Sequence, residues 1–220
     1  MAIDQQPAHL SVYQLTIEPN TLFHARPPVL PDDDTLWAMQ EQLQALLAAN
    51  GYRQYEVSAY ARAGRECRHN LNYWRSGDYL GIGAGAHAKI SDADGVTRLW
   101  KVKQPEAYLG TAGIAQATGG IQALTPEDVA FEFMLNALRL TEGFPAALFA
   151  ERTGLPLSAI EPALRQAEAK GFIVRDTDNI RPTAAGRRLL NDLLILFLPD
   201  TRTAARRRQT DELPPFLEGS

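Results

Sequence analysis

The chain has 220 residues, 45% hydrophobic and 22% charged, with a net charge of −4, a balance that fits a globular protein with a real core and argues against a disordered chain or a general nucleic-acid binder. Its single cysteine, Cys67, excludes an internal disulfide, a CxxC metal clip and an iron–sulfur centre built on this chain's own thiolates. The longest unbroken apolar stretch, Leu193 to Leu198, is far below the roughly 18 residues of a membrane span, and no basic-then-apolar leader opens the chain, so cytoplasmic residence is expected.

In chain order, "AHLSVYQLTIE" (8–18) is rich in β-branched and aromatic residues and closes on Pro19-Asn20, which predicts a strand and a turn. After the proline-rich "RPPVLP", Leu36, Met39, Leu43, Leu46 and Leu47 recur at helical spacing behind an acidic start and before Asn50-Gly51, predicting an amphipathic helix. "YRQYEVS" reads as a second strand, so 8–57 has the strand–helix–strand order of a parallel sheet or barrel. "RHNLNYW" (68–74) shows neither helix nor strand period and reads as a loop, inside a local patch where Arg62, Arg65, Arg68 and Arg75 outnumber Glu66. "GDYLGIGAGAHAKI" leads to Asp94-Gly95 and "VTRLW", a hairpin with its turn at the acidic-glycine pair. Residues 104–117 read as helical, and "TGG" at 118–120 as a boundary.

From Thr125 the pattern changes to short capped helices. Thr125 is an expected N-cap with Pro126 at the first helical position, and Phe131, Phe133, Met134, Leu135 and Leu138 mark a largely buried helix. "SAIE" (158–161) reads as a capping box, its helix stopping at Gly171; "FIVRDTDNIRP" reads as a small hairpin before a helix over 184–198. Helices followed by a two-stranded wing suggest a winged-helix-like second domain. The expected organisation is 1–124, then 125–200, then a disordered tail over 201–220.

Several chemistries compete for these residues. "GIGAGA" (81–86) satisfies G-x-G-x-x-A, but a strand rather than a helix is expected after it, so it reads as a place of close backbone approach rather than a dinucleotide fingerprint. DNA binding by the helix 158–170 is disfavoured because Glu161 and Glu168 cancel Arg165 and Lys170. His69 can be a hydrogen-bonded structural residue, a general acid or base, or a metal ligand. A closed zinc site would have to recruit scattered carboxylates, since His9, His24 and His87 are the only other histidines. A porphyrin asks for one axial imidazole, flat groups to cover the ring and cations for its carboxylates. His69, then Tyr73, Trp74 and Tyr79, then Arg65, Arg68 or Arg75 contain each part.

"HLSVYQLTIEPNT", "GYRQYEVSAYARAGRECRHNLNYWRSGDYLGIGAGAH" and the capped C-terminal segment together resemble the C-terminal part of the HemW heme chaperones, in the radical SAM family that includes oxygen-independent coproporphyrinogen III oxidase. The most specific element is HNxxYW, matched by His69, Asn70, Tyr73 and Trp74 and associated in that family with heme binding through the histidine. The resemblance implies an α/β (α+β) fold, the end of a partial (βα) radical SAM barrel followed by a small helical domain. It also implies heme as the bound group, with Arg68 and Arg75 nearby, and a cofactor-facing region holding Thr16, His87, Gly83 and Gly85. Full members carry CxxxCxxC for a [4Fe-4S] cluster with S-adenosylmethionine; that motif is absent here, so this chain alone is not expected to catalyse. Implied partners are heme-acceptor proteins, membrane-associated respiratory proteins among them, and no nucleic acid. The alternative in the same family is a coproporphyrinogen oxidase acting on porphyrinogen propionates. An unpaired sheet edge along "HLSVYQLTI" would also invite self-association.

Overall fold

The structure is a computed structural model describing residues 2–199; the expected tail over 201–220 lies outside the described residues. After a 3-10 turn at Ala2–Gln5, strand β1 covers only His9–Ser11. The strand expected over 8–18 stops there because β-branched residues alone do not make a strand. Among the described residues nothing forms a ladder with 12–18, and Tyr13 and Leu15 are exposed. A short helix α1, Leu22–Ala25, is capped by Thr21. Helix α2, Asp33–Ala49, starts at Asp32, whose carboxylate accepts the Thr35 N–H at 2.8 Å, and ends where Gly51 takes φ +81°. Its apolar stripe is only partly used: Leu47 is buried, whereas Met39 and Leu46 face outward.

The strand–helix–strand order does not produce a parallel pair. Strand β2, Arg53–Glu56, turns at Val57-Ser58 into β3, Ala59–Ala61, and β3 lies antiparallel between β1 and β2. Gln54 Nε2 donates to Val57 O at 3.0 Å across that turn. Tyr52, Tyr60 and Leu47 form one small core, and Tyr55, Ala59 and Ala61 another.

Helix α3, Arg68–Trp74, occupies the segment expected to be a loop. Cys67, Leu71 and Trp74 recur at i, i+4 and i+7, and Cys67 and Leu71 pack on the Tyr55, Ala59 and Ala61 cluster. The helix has no side-chain cap and no acidic first turn, so tertiary packing rather than local propensity sustains it. Strand β4, His87–Asp92, and β5, Gly95–Lys101, form the expected hairpin, but its two turn residues are Ala93-Asp94 rather than Asp94-Gly95: Gly95, at φ +133°, already pairs with Asp92. Helix α4, Pro105–Thr111, and a 3-10 turn at Ala115–Ala117 follow.

The "TGG" expected as a boundary instead opens β6, Thr118–Ala123, which completes the sheet β4-β5-β6. Its glycines are there for room: Gly120 pairs with Trp100, and a Cβ at 120 would fall inside the indole.

Helix α5, Pro126–Ala137, is capped by Thr125 as expected, and Phe133, Met134 and Leu138 are fully buried; Leu135 is 40% exposed. Strand β7, Phe144–Pro145, runs straight into α6, Ala146–Thr153. The expected capping box at 158–161 does not form: Leu157–Ile160 is a 3-10 turn, and α7, Glu161–Ala169, begins beyond it with Pro162 in its first turn. Gly171 at φ +70° ends it, and β8, Ile173–Arg175, and β9, Asn179–Pro182, make the expected hairpin, joined by β7 in the order β7-β9-β8. The single helix expected over 184–198 is two, α8, Ala184–Arg188, and α9, Leu190–Ile195, broken at Leu189. Gly186 presses against the Phe172 carbonyl, which ties α8 to the start of β8 and sets its direction. The largest core gathers Phe133, Phe144, Phe149, Leu164, Ile173, Ile180 and Leu193 around α5. Phe133 meets Phe144 and Phe149 edge to face at 5.0 and 5.2 Å.

Candidate functional site

Helix α3 sorts the HNxxYW residues onto two faces. His69 and Tyr73 are four residues apart, about 40° around the helix, and their rings meet edge on at 4.8 Å. Tyr73 in turn lies 4.5 Å from Tyr79. His69 is exposed, and among the described residues its ring nitrogens have no hydrogen-bond partner. Arg68 and Arg75 are exposed and make no ion pair among the described residues; seven residues apart, they stand about 10 Å from each other along one side of the helix. Trp74 is about 140° from His69 and does not share its face. It packs inward, with the Arg139 guanidinium 4.3 Å over its ring, and Arg139 pairs at 3.3 Å with Glu56, a carboxylate 2% exposed.

Asn70 also points to the back of the helix. Its Nδ2 donates to the Tyr55 hydroxyl at 3.2 Å, and His9 Nε2 lies 2.9 Å from the same oxygen. Burial pushes the Tyr55 hydroxyl's pKa up, against the hydrogen bond from Asn70. The second asparagine, Asn72, donates to Asp78 O at 2.9 Å, while Gly77 leaves no space for a Cβ beside it. The two asparagines thus fasten the helix and its exit, leaving His69 free.

The exit turn, with Ser76 at φ +53°, leads to Tyr79, which exchanges both backbone hydrogen bonds with Lys89 of β4 at 3.0 Å. Lys89 is 4% exposed, and its ammonium donates to Ser76 O, Asp78 Oδ1 and Ser91 Oγ at 3.1, 3.1 and 2.9 Å. Partial burial works against the Asp78 carboxylate, but the Ser91 amide and hydroxyl and the Lys89 charge outweigh it, leaving its pKa below the ordinary range. This staple holds Tyr79 beside Tyr73. Arg98 of β5 then reaches both the Tyr79 hydroxyl and Glu132 of α5. Burial opposes the Arg98 charge, and the hydrogen bonds and charge of Glu132 more than restore it.

The other sequence candidates sit elsewhere. Thr16 is exposed on the unpaired stretch after β1. His87 opens β4, exposed and stacked on Trp100 at 6.4 Å. Gly83 and Gly85, at φ +112° and +69°, hold a turn whose N–H groups donate to the Tyr108 hydroxyl at 3.1 Å and to Val102 O at 2.8 Å. A strand rather than a helix follows "GIGAGA", so no helix N-terminus stands ready for a pyrophosphate. Leu80, Ile82, Leu99 and Trp100 line an apolar depression of about 260 Å³ beside this turn. With one cysteine, and no group of three His, Cys, Asp or Glu able to hold a metal ion among the described residues, the chain does not fit an iron–sulfur cluster. An exposed imidazole without a hydrogen-bond partner among the described residues, with two exposed arginines on a neighbouring side of the same helix, about 100–120° around, does fit heme as a cargo.

Sequence reasoning did not find His9, Tyr55, Glu56, Arg98, Glu132 or Arg139. Their contacts join residues 15 to 83 apart in the chain, and no local spacing marks them. The helix itself was detectable in the Cys67, Leu71, Trp74 spacing.

The HemN C-terminal domain matches residues 124–189. Over 200 residues the chain is 48% identical to the heme chaperone HemW of Escherichia coli strain K12, covering 90% of this chain and 52% of that protein. It is 40% identical over 196 residues to HemW of Mycobacterium tuberculosis, covering 86% and 47%, and 33% identical over 203 residues to HemW of Bacillus subtilis strain 168, covering 90% and 52%. Its fold is similar to that of the radical SAM enzyme coproporphyrinogen III oxidase (HemN) of Escherichia coli, with a TM-score of 0.64 at 18% identity, covering 89% of this chain and 49% of that one. The chain spans about half the length of the relatives it matches. Over 90% of its length the chain is homologous to the HemW heme chaperones, its residues 124–189 match the HemN C-terminal domain, and its fold is like that of HemN.

Proposed function

We propose that this chain is the heme-holding part of a cytoplasmic protein that carries heme to acceptor proteins, with His69 as the axial ligand. The observation that carries the reading is His69 itself: exposed on α3, without a hydrogen-bond partner among the described residues, and braced on one edge by Tyr73. A heme iron supplies an open coordination position that a neutral imidazole nitrogen fills. Tyr73 offers its ring to one side of the ligand, Arg68 and Arg75 offer unengaged guanidiniums to the propionates, and Asn70 and Trp74 hold the helix from behind. Because the imidazole stands on a surface helix rather than in a closed cavity, the same geometry that admits heme lets it leave, which suits a carrier.

The full protein is proposed to hold its cluster and S-adenosylmethionine on residues outside this chain, with Thr16, His87, Gly83 and Gly85 facing that region. We assign 1–124 to the end of a barrel and 125–200 to a winged-helix-like domain, the β8–β9 hairpin being its wing. The free edge of β1 is where two copies would associate. Acceptors would include membrane-associated respiratory proteins, and among the described residues no helix is long and apolar enough to cross a membrane.

Titration of the 220-residue chain with hemin, followed through the Soret band, tests the reading. Saturable binding lost in His69→Ala supports it; identical spectra and affinity in the two proteins overturn it.

A further inference from the structure

We propose that Arg98 and Glu132 are positioning residues for His69, acting through Tyr79 and Tyr73, so that α5 sets the orientation of the imidazole. The proposal deepens the heme reading above and rests on His69 being the ligand.

Its basis is an unbroken line of contacts from the half-buried Glu132 of α5 to His69 on the surface. Glu132 accepts from Arg98 Nε at 3.0 Å and Nη2 at 2.5 Å, a fork held by one carboxylate oxygen. The remaining guanidinium nitrogen, Nη1, donates to the Tyr79 hydroxyl. Tyr79 cannot drift, because its backbone is paired to Lys89 on both sides and its ring also lies near the Arg98 guanidinium, 5.8 Å from centroid to Cζ. The Tyr79 ring tilts at 53° against Tyr73, and Tyr73 stands at 81° to His69. Edge-to-face packing of this kind favours a narrow range of side-chain torsions. Among the described residues His69 makes no side-chain hydrogen bond, ion pair or further ring contact, so Tyr73 is its one specific side-chain partner.

The back of α3 is held from the same direction. Arg139, just past the end of α5, covers Trp74 at 4.3 Å and is anchored by the buried Glu56. Helix α5 and the turn after it therefore reach α3 on both faces, at Trp74 through Arg139 and on the His69 side through Glu132 and Arg98.

The size of the effect follows from rotamer counting. A His69 released from Tyr73 would share its time among two or three staggered χ1 wells, and the ligand-competent fraction would fall to roughly a third to a half, weakening heme binding about two- to threefold. Orientation can be read without heme. The chain has four histidines, His9, His24, His69 and His87, so their imidazole Hε1 protons form a short NMR spectrum in which His69→Ala identifies the His69 line.

Arg98→Met and Tyr79→Phe are expected to move the His69 line toward that of the exposed His24, with the His24 line unmoved, and to weaken heme binding two- to threefold. Arg98→Lys, which keeps a charge for Glu132, should restore part of the shift. If the His69 line is unmoved in Arg98→Met and Tyr79→Phe, the pair is merely structural and the proposal fails, whatever happens to heme. If the line moves but His69→Ala leaves wild-type heme binding intact, the brace stands and the ligand assignment falls. Should Arg98→Met not fold, Tyr79→Phe, which removes one hydroxyl and leaves the ring, decides the question.

Discussion

Arg139→Met should be among the most damaging single changes near α3. It removes the cation facing Glu56, a carboxylate 2% exposed, while keeping an apolar stem of similar length over Trp74. Breaking a buried ion pair by deleting one partner costs about 3–5 kcal/mol. Arg139 retains 28% of its side-chain accessibility, so water reaches the pair and the lower end, about 3 kcal/mol, applies. Loss of the guanidinium from the Trp74 ring adds about 0.5–1 kcal/mol. A total of about 3.5–4 kcal/mol corresponds to a fall in Tm of about 7–16 °C for a chain of this size. The assay is urea unfolding followed by tryptophan fluorescence, with Glu56→Gln and the double variant completing a cycle. Because the double variant no longer buries an uncompensated charge, it should regain at least about 1 kcal/mol over the sum of the single changes. A loss below about 1 kcal/mol in Arg139→Met, or strict additivity in the cycle, would show that Glu56 and Arg139 are not coupled as described.

Other consequences are equally specific. Gly120→Ala places a methyl group inside the Trp100 indole and should cost about 1–3 kcal/mol as β6 separates from β5, with a changed near-ultraviolet tryptophan signal; an unaltered Tm would contradict that packing. Thr125→Val removes the hydroxyl that accepts the Asp128 N–H at 3.2 Å and should cost about 1 kcal/mol by thermal unfolding, whereas Thr125→Ser should cost far less. The Glu161 carboxylate accepts hydrogen bonds from Arg175 and then Arg165, which lower its pKa to about 2. A depressed folded-state pKa means that its contribution to stability is complete above the unfolded value near 4.5 and is lost as pH falls toward about 2. A 13C titration of the Glu161 carboxyl should therefore show it still ionised at about pH 3, and Arg175→Gln should bring its midpoint back toward 4.5; a wild-type midpoint already near 4.5 would sink the assignment.

What was legible in the sequence was local. Thr125 as a cap, the β4–β5 hairpin to within one residue of its turn, and Gly171 as a helix stop each depend on a few neighbouring residues whose conformational preferences are strong. The errors came where a distant partner decides. Residues 12–18 have the composition of a strand and no ladder to join; "TGG" looks like a boundary until Trp100 is known to lie across from Gly120; "RHNLNYW" becomes helical because Cys67 and Leu71 have a core to pack on. The same division holds at the site. HNxxYW drew attention to His69, but the segregation of Trp74 onto the opposite face, and the pairing of Arg98 with Glu132 and of Arg139 with Glu56, emerge only when α3, β5 and α5 are brought together.

The central claim is that His69, alone among the four histidines, carries the heme iron. Hemin titrations of the wild-type chain and of His69→Ala, His24→Ala and His87→Ala, compared through the Soret band and the ferric electron paramagnetic resonance spectrum, test it most directly. The account predicts wild-type spectra and affinity for His24→Ala and His87→Ala, and loss of the histidine-ligated signal in His69→Ala only. A histidine-ligated signal that persists in His69→Ala, or disappears instead in His87→Ala, would contradict it.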